Sequence, residues 1–232
     1  MKYLPLVLML VAGCGSSAPP PTPHRLVGEP SDEDDDATPL VIGSETMVPL
    51  PATVHESDEV VAEALRLSRD ATLPERPVLD DAASEVETAR FMREDFQAWV
   101  VLRARAIGAA RQALGQIEHG EPDEYVLASA LVGALFAMLA REVQEMPLPR
   151  VIRDDPSRRV LVREALLETA APLYRRALDA FGACASTASG AADPTLDPWA
   201  RYCDEATERA EQAPHPVDTE PAATPDAGAT PS

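Results

Sequence analysis

Lysine is almost absent from this chain of 232 residues: Lys2 is the only one, and every other strongly basic side chain is an arginine. The 39 acidic residues outnumber the 20 basic ones, which gives a formal charge of −19. A surface this acidic repels nucleic acids and anionic lipid headgroups. The sequence therefore predicts no nucleic-acid partner.

Aromatic residues are also scarce, at 4% of the chain, although 45% of the residues are hydrophobic. Alanine, arginine and glutamate are plentiful, and their side chains lose little rotamer freedom in a helix. No long stretch alternates apolar and polar residues as a half-buried strand would. The composition predicts an all-α fold.

Histidine and cysteine, the residues that most often carry metal or nucleophilic chemistry, are few. His24, His55, His119 and His215 form no pair at helical spacing, and no Cys-x-x-Cys motif is present. The serines lack a nucleophile-elbow context, and glycine-rich phosphate loops are missing. We therefore predict a non-enzyme with no catalytic residue, no metal site and no bound cofactor.

The amino terminus has the layout of a secretory signal peptide. Lys2 precedes an apolar stretch, Tyr3–Val11, and the small residues Ala12 and Gly13 stand before Cys14. The apolar stretch is too short for a stable membrane span, which needs about 20 residues. Residues 1–13 are therefore predicted to be a signal peptide.

The string Val11-Ala12-Gly13-Cys14 resembles the lipobox of bacterial lipoproteins. In that family a diacylglyceryl group is attached to the cysteine, the chain is cut before it, and the new amine is often acylated with palmitate. The resemblance implies that Cys14 anchors the chain to a membrane through covalent lipid. Gly15, where inner-membrane lipoproteins often carry aspartate, implies the outer membrane, facing the periplasm. The alternative is an ordinary secreted protein with a chance cysteine.

Composition divides the mature chain into three parts. Residues 14–55 are rich in proline and acid, including the run Asp32–Asp36, and residues 214–232 are rich in proline, alanine and threonine. Such segments bury too little apolar surface to offset their ordering entropy. We expect a disordered linker over 14–55, a helical domain over 56–213 and a disordered tail over 214–232.

Capping residues and prolines delimit five or six antiparallel helices in the central part. Ser84 and Glu87 fit a capping box, while Pro122 and the pairs Asp155-Pro156 and Asp197-Pro198 are typical of helix starts. Pro172 is expected to kink or divide the fourth helix. The predicted spans are Ser57–Ala71, Ser84–His119, Pro122–Met146, Asp155–Ala185 and Asp197–Gln212.

Two of these helices show distinctive apolar patterns. Tyr125–Ala140 contains no charge but is too short to cross a bilayer, which favours a buried central helix over a membrane hairpin. The preceding helix carries an apolar stripe that is interrupted at Arg103. The members of this predicted stripe are Ala89, Met92, Phe96, Trp99, Ala106, Ala110, Ala113 and Ile117.

Cys184 and Cys203 are predicted to form a disulfide, because an exported chain folds in an oxidising compartment. Each cysteine lies on the apolar face of its helix, and the intervening loop allows the two helices to fold back on each other. Two buried, unbonded thiols are the alternative. The faces are Leu173, Ala177, Phe181 and Cys184 on one helix and Trp199, Cys203, Ala206 and Ala210 on the other.

Ala177, Phe181 and Cys184 match the small–aromatic–small spacing in the second helix of a tetratricopeptide repeat. Segments 171–187 and 197–210 together resemble the terminal helices of helical-repeat lipoproteins of Gram-negative bacteria. The resemblance implies protein binding on a scaffold surface without catalysis. No 34-residue period recurs, so a degenerate helix-hairpin array and a plain antiparallel bundle both stay open.

These observations together predict a membrane-anchored helical lipoprotein that binds or organises another envelope protein. One alternative is a small-molecule carrier or enzyme with a site between helices, lined by Tyr125–Ala140. The other is a purely structural envelope lipoprotein.

The lipid anchor makes a direct prediction. Replacing Cys14 by serine removes the thiol that receives the lipid, so Cys14→Ser is expected to move the protein from the membrane fraction to the soluble periplasmic fraction. Immunoblotting of fractionated cells measures this, with Cys184→Ser as a control that should stay membrane-bound. Retention of Cys14→Ser in the membrane fraction would contradict lipid anchoring.

Overall fold

The computed structural model describes residues 40–42, 46–48, 59–117 and 121–214. The signal peptide, the lipobox with Cys14, the predicted cap Ser57, all four histidines and nearly all of the tail lie outside these residues. Helices make up most of the described chain. The all-α fold is confirmed.

Seven helices are present in the described residues. A single π-helical turn, Met92–Phe96, joins the second to the third, and a 3₁₀ turn, Pro194–Leu196, precedes the seventh. The helices are α1 Glu59–Asp70, α2 Glu85–Phe91, α3 Gln97–Ile117, α4 Pro122–Gln144, α5 Arg150–Arg153, α6 Pro156–Gly190 and α7 Asp197–Glu211.

A short β-hairpin lies within the segment predicted as linker. Strands β1 (Leu40–Ile42) and β2 (Thr46–Val48) pair antiparallel, with Leu40 opposite Val48 and Ile42 opposite Thr46. Both strands contain β-branched residues, valine with isoleucine or threonine, which favour extended backbone. The linker prediction over 14–55 did not include this pairing.

Most of the predicted helix starts are confirmed by their hydrogen bonds. The Ser84 backbone N–H donates to the Glu87 carboxylate at 2.8 Å, and the Glu87 N–H donates to Ser84 Oγ at 3.3 Å, which completes the capping box. Asp155 accepts from the N–H groups of Ser157 and Arg158. Pro122 and Pro156 each stand in the first turn of a helix, where no N–H is needed.

The structure corrects the start of one predicted helix and excludes one of the two outcomes expected at Pro172, a division of the helix. Asp197 is the first residue of α7 rather than its cap, because the 3₁₀ turn before it is capped by Asp193, which accepts from the Thr195 N–H. Pro172 does not divide the fourth helix, and α6 continues to Gly190. Leu166, Ala170, Leu173, Tyr174 and Ala177 are buried on both sides of the proline, so packing offsets the backbone hydrogen bond that it removes.

The predicted apolar stripe on the long helix was only partly right, because the π turn changes its register. Phe91 and Phe96 are both buried although they are five residues apart, a spacing that a regular α-helix would place on different faces. Ala89 is exposed, and Ala106 and Ala113 are only half-buried. The buried residues of this segment are Thr88, Phe91, Phe96, Trp99, Val100, Arg103, Ile107, Ala110 and Leu114.

Helix α4 forms the centre of the domain. Every residue from Val126 to Phe136 is buried, and α4 packs against α3, α6 and α7. Among the described residues it is the one helix long and apolar enough to cross a membrane, yet 83% of its apolar window is buried inside the protein. The predicted buried central helix is confirmed.

The contact between α4 and α6 depends on a glycine. A Cβ added at Gly133 would lie 2.6 Å from the Phe181 ring, closer than two carbon atoms can pack. Gly133 lies opposite Phe181, and Phe136 lies opposite Arg176, so the two helices run antiparallel. Glycine at this position lets the two backbones approach across an aromatic ring.

Helices α6 and α7 form an antiparallel hairpin that brings the two cysteines together. The sulfur atoms of Cys184 and Cys203 are 1.99 Å apart, at disulfide distance, and their Cα atoms are 6.1 Å apart. All eight residues of the two predicted faces are buried, which confirms the helix-face assignment. The Tyr202 ring makes edge-on contacts with Phe181 and Trp199 beside the cysteines.

This pairing predicts that oxidised mature protein has no free thiol, since Cys14 would carry lipid. Reduction should lower the free energy of unfolding by about 3 kcal/mol, because the cross-link restricts the unfolded chain. Thiol alkylation with mass spectrometry and urea denaturation with and without reductant measure both effects. The double variant Cys184→Ala/Cys203→Ala is the control, whose stability should not respond to reductant. Two alkylated cysteines in protein taken unreduced from cells would contradict the bond.

Candidate functional site

A buried arginine lies between α1, α3 and α4. Arg103 is 1% exposed, and its guanidinium donates to the Ala71 carbonyl just beyond α1 and, at 2.8 Å, to the Glu142 carboxylate on α4. Its Nε has no hydrogen-bond partner among the described residues. In the sequence, Arg103 interrupts the predicted apolar stripe. It lies four residues from both Trp99 and Ile107, and this helical spacing puts all three on the same face, which is buried.

The carboxyl end of α4 gathers further polar contacts. Arg76 donates to the Glu142 carbonyl at 3.1 Å, and Arg163 donates to the Gln144 carbonyl at 2.8 Å. The Tyr174 hydroxyl donates to the Gln144 side-chain oxygen at 2.9 Å. Arginines suit this position because the last carbonyls of a helix carry partial negative charge. These contacts hold the neighbouring segments around the carboxyl end of α4.

One open groove lies between α3, α4 and α6, and we call it the α3–α4–α6 groove. Its volume is about 310 Å³, and its wall combines aromatic and small apolar side chains with two arginines and two hydroxyls. It is lined by Arg111, Tyr125, Ser129, Val132, Phe136, Arg176, Asp179, Ala180 and Ala183.

Three polar side chains of this groove, Arg111, Ser129 and Arg176, make no hydrogen bond or ion pair with other described residues. The Arg176 guanidinium carbon stands 5.4 Å from the centre of the Phe136 ring, a cation–π distance. Within the described part of the chain neither Arg176 nor Arg111 has a carboxylate at ion-pair distance. Ser129 is 5% exposed, and its hydroxyl has no hydrogen-bond partner among the described residues.

A smaller groove of about 160 Å³ lies between α4, α6 and α7. Tyr174, Phe181 and Tyr202 supply its aromatic wall, and Arg141 and Arg209 stand at its polar side. Burial raises the pKa of the Tyr202 hydroxyl to about 12, with a small opposing effect from Arg209. Tyr202 is therefore neutral at physiological pH and can donate a hydrogen bond.

A third depression lies between the 78–83 loop and α2, with a volume of about 380 Å³. Asp80, Glu87, Arg90 and Asp95 make its wall mostly polar, and Glu87 is committed to the helix cap. Hydrogen bonding to Ser84 lowers the pKa of the Glu87 carboxyl, so this group is ionised at neutral pH. We assign this depression to the capping of α2 rather than to ligand binding.

The structure brings together some of the residues that the sequence singled out and leaves others apart. Both grooves beside α4 are lined partly by Tyr125–Ala140, the segment that was predicted to line a site between helices. Trp99 and Trp199 are buried at 5% and 2% exposure, as packing residues would be. No group of three or more metal-ligating side chains occurs within the described residues. The arginines of the grooves were not predicted, because a groove arises only when three helices meet.

No known family model, curated protein or solved structure matches this chain. The tetratricopeptide resemblance therefore stays a prediction. Ala177, Phe181 and Cys184 do lie buried on one face of α6, as that resemblance implies.

Proposed function

We propose that this protein is a lipid-anchored, non-catalytic protein-binding module of the cell envelope, held at the outer membrane and facing the periplasm. The anchor at Cys14 and the linker over 14–55 belong to the proposal. A flexible tether raises the effective concentration of the domain for partners on the same membrane.

The observation that carries the proposal is the closed packing around α4. A carrier or enzyme between helices needs a pocket that encloses most of its ligand. Here α4 is packed along the whole of Val126–Phe136, and the two neighbouring grooves, of about 310 and 160 Å³, are open to solvent. Open grooves of this size fit one or two side chains of a protein partner.

The close packing and the cross-link in the same region support this role. The grooves are bounded by helices α4 and α6, which approach closely at Gly133, and by the hairpin that carries the Cys184–Cys203 pair. A surface whose side chains are already held in place loses less entropy when a partner binds.

Photo-crosslinking in intact cells tests the proposal. A photoreactive phenylalanine analogue at Ala183, in the α3–α4–α6 groove, or at Ala137, in the smaller groove, is expected to give a discrete adduct with an envelope protein. The same analogue at Val160, which is 53% exposed and lines neither groove, is the matched control and should give none.

Mass spectrometry of the adduct identifies the partner. Absence of a discrete adduct at both groove positions, with the protein correctly folded and anchored, would contradict a protein-binding role and favour a purely structural lipoprotein.

A further inference from the structure

The α3–α4–α6 groove offers two guanidinium groups in a chain whose formal charge is −19. Arg111 and Arg176 both line the groove without a carboxylate partner among the described residues. Some arginines outside the groove are paired with acidic side chains, as Arg66 and Arg153 are, whereas the exposed Arg105 and Arg175 have no such pair among the described residues. What distinguishes the groove is that it presents two arginines against one carboxylate, Asp179, in an otherwise strongly acidic chain.

The position of Arg176 suits the binding of a planar anion. Its guanidinium stands over the Phe136 ring, a contact that limits the orientations of the group. A guanidinium stacked on a ring can still donate hydrogen bonds from its edge, and a carboxylate accepts two such bonds side by side. The geometry thus favours a carboxylate over a neutral ligand.

The other residues that line the groove indicate which chemical groups of the ligand lie beside its carboxylate. The Ser129 hydroxyl lines the groove and has no hydrogen-bond partner among the described residues, so it is available to donate to a ligand. Asp179 can accept a hydrogen bond from an N–H group of the ligand and repels a second negative charge. Val132, Ala180 and Ala183 leave an apolar wall for a small side chain.

We propose that this groove binds the carboxyl-terminal residue of a partner polypeptide. Arg176 and Arg111 receive the terminal carboxylate, Ser129 donates to it, Asp179 accepts from the backbone N–H of the same residue, and a small apolar side chain contacts Val132 and Ala183. This inference rests on the proposed protein-binding function and specifies the part of the partner that is recognised.

Fluorescence anisotropy with the full-length protein in detergent tests this site. The probe is a pool of pentapeptides, Gly-Gly-Ser followed by two positions varied over Ala, Val, Leu and Phe, with a neutral fluorophore at the amino terminus and a free carboxyl terminus. We expect saturable binding by this pool, and binding weaker by at least about tenfold for the same pool with a carboxyl-terminal amide.

Variants locate the site. Arg176→Ala is expected to weaken binding by about tenfold or more, and Arg176→Lys to restore part of it, because lysine keeps the charge but not the bidentate geometry. Arg175→Ala is the matched control, since Arg175 is the adjacent, exposed arginine on the same helix and does not line the groove. Ser129→Ala is a second variant in the groove and is expected to weaken peptide binding by a smaller factor than Arg176→Ala. Circular dichroism checks that each variant is folded.

Several results would overturn the inference: equal binding of the acid and amide pools, no binding of the acid pool, or an equal loss in Arg175→Ala and Arg176→Ala. Equal binding of an amidated peptide that contains an internal glutamate would overturn recognition of the terminus. Competition by N-acetylalanine as strong as that by the peptides would show a small-molecule carboxylate site instead.

These outcomes are separable from the crosslinking result. A partner captured at Ala183 whose capture does not depend on Arg176 would leave the protein-binding function intact and remove this recognition mode. Binding of the peptide pool that depends on Arg176, without any captured partner in cells, would support this site and contradict the proposed envelope partner.

Discussion

The buried guanidinium of Arg103 is the constraint around which the amino-terminal half of the domain is arranged. Moving an unpaired charge out of water costs several kcal/mol, so the group must be surrounded by acceptors in the folded state. The Ala71 carbonyl and the Glu142 carboxylate provide them, from the chain just after α1 and from α4. The Glu142 side chain is 31% exposed, so water screens part of this attraction. The main effect of the Arg103–Glu142 pair is therefore to fix the relative positions of α3, α4 and the chain just after α1, and its net contribution to stability is the smaller effect.

Helix α4, which Glu142 joins to Arg103, also contacts the elements that form the rest of the domain. The same end of α4 is held by Arg76 and Arg163, and its middle approaches α6 at Gly133. Helix α6 in turn carries the hairpin to α7 with the cysteine pair. The two grooves are the open spaces between these helices, one bounded by α3, α4 and α6 and the other by α4, α6 and α7. Their shape depends on helix positions set by contacts elsewhere in the chain.

Local rules were sufficient for much of the fold. The capping box of Ser84 and Glu87 and the proline at the start of α4 depend on residues within one turn, so the sequence alone located these helix starts. The uncharged run Tyr125–Ala140 was correctly predicted to be buried. The facing cysteines followed from helical periodicity together with a loop long enough for a hairpin.

Features that depend on tertiary contact were missed or misjudged. The π turn at Met92–Phe96 inserts a step of five that no 3.6-residue pattern contains, so before Phe96 the predicted stripe was displaced from Ala89 to Thr88 and from Met92 to Phe91. Helix α6 continues through Pro172, because the residues on both sides of the proline are buried and their packing stabilises the helix. Arg111, Ser129 and Arg176 belong to different helices, and only packing shows that they line one groove.

Hydrogen exchange on a pair of arginine variants tests the central role of Arg103 most directly. Arg103→Met keeps an unbranched side chain about as long as the methylene stem of arginine and removes the guanidinium, whereas Arg105→Met changes an exposed arginine two residues away. Because Arg103 joins the end of α1 to α3 and α4, Arg103→Met is expected to speed amide exchange in Glu59–Asp70 while α6 and α7 stay protected. Arg105→Met is expected to leave exchange in all of these helices unchanged. Unaltered protection of α1 in Arg103→Met, or the same loss in both variants, would contradict the account.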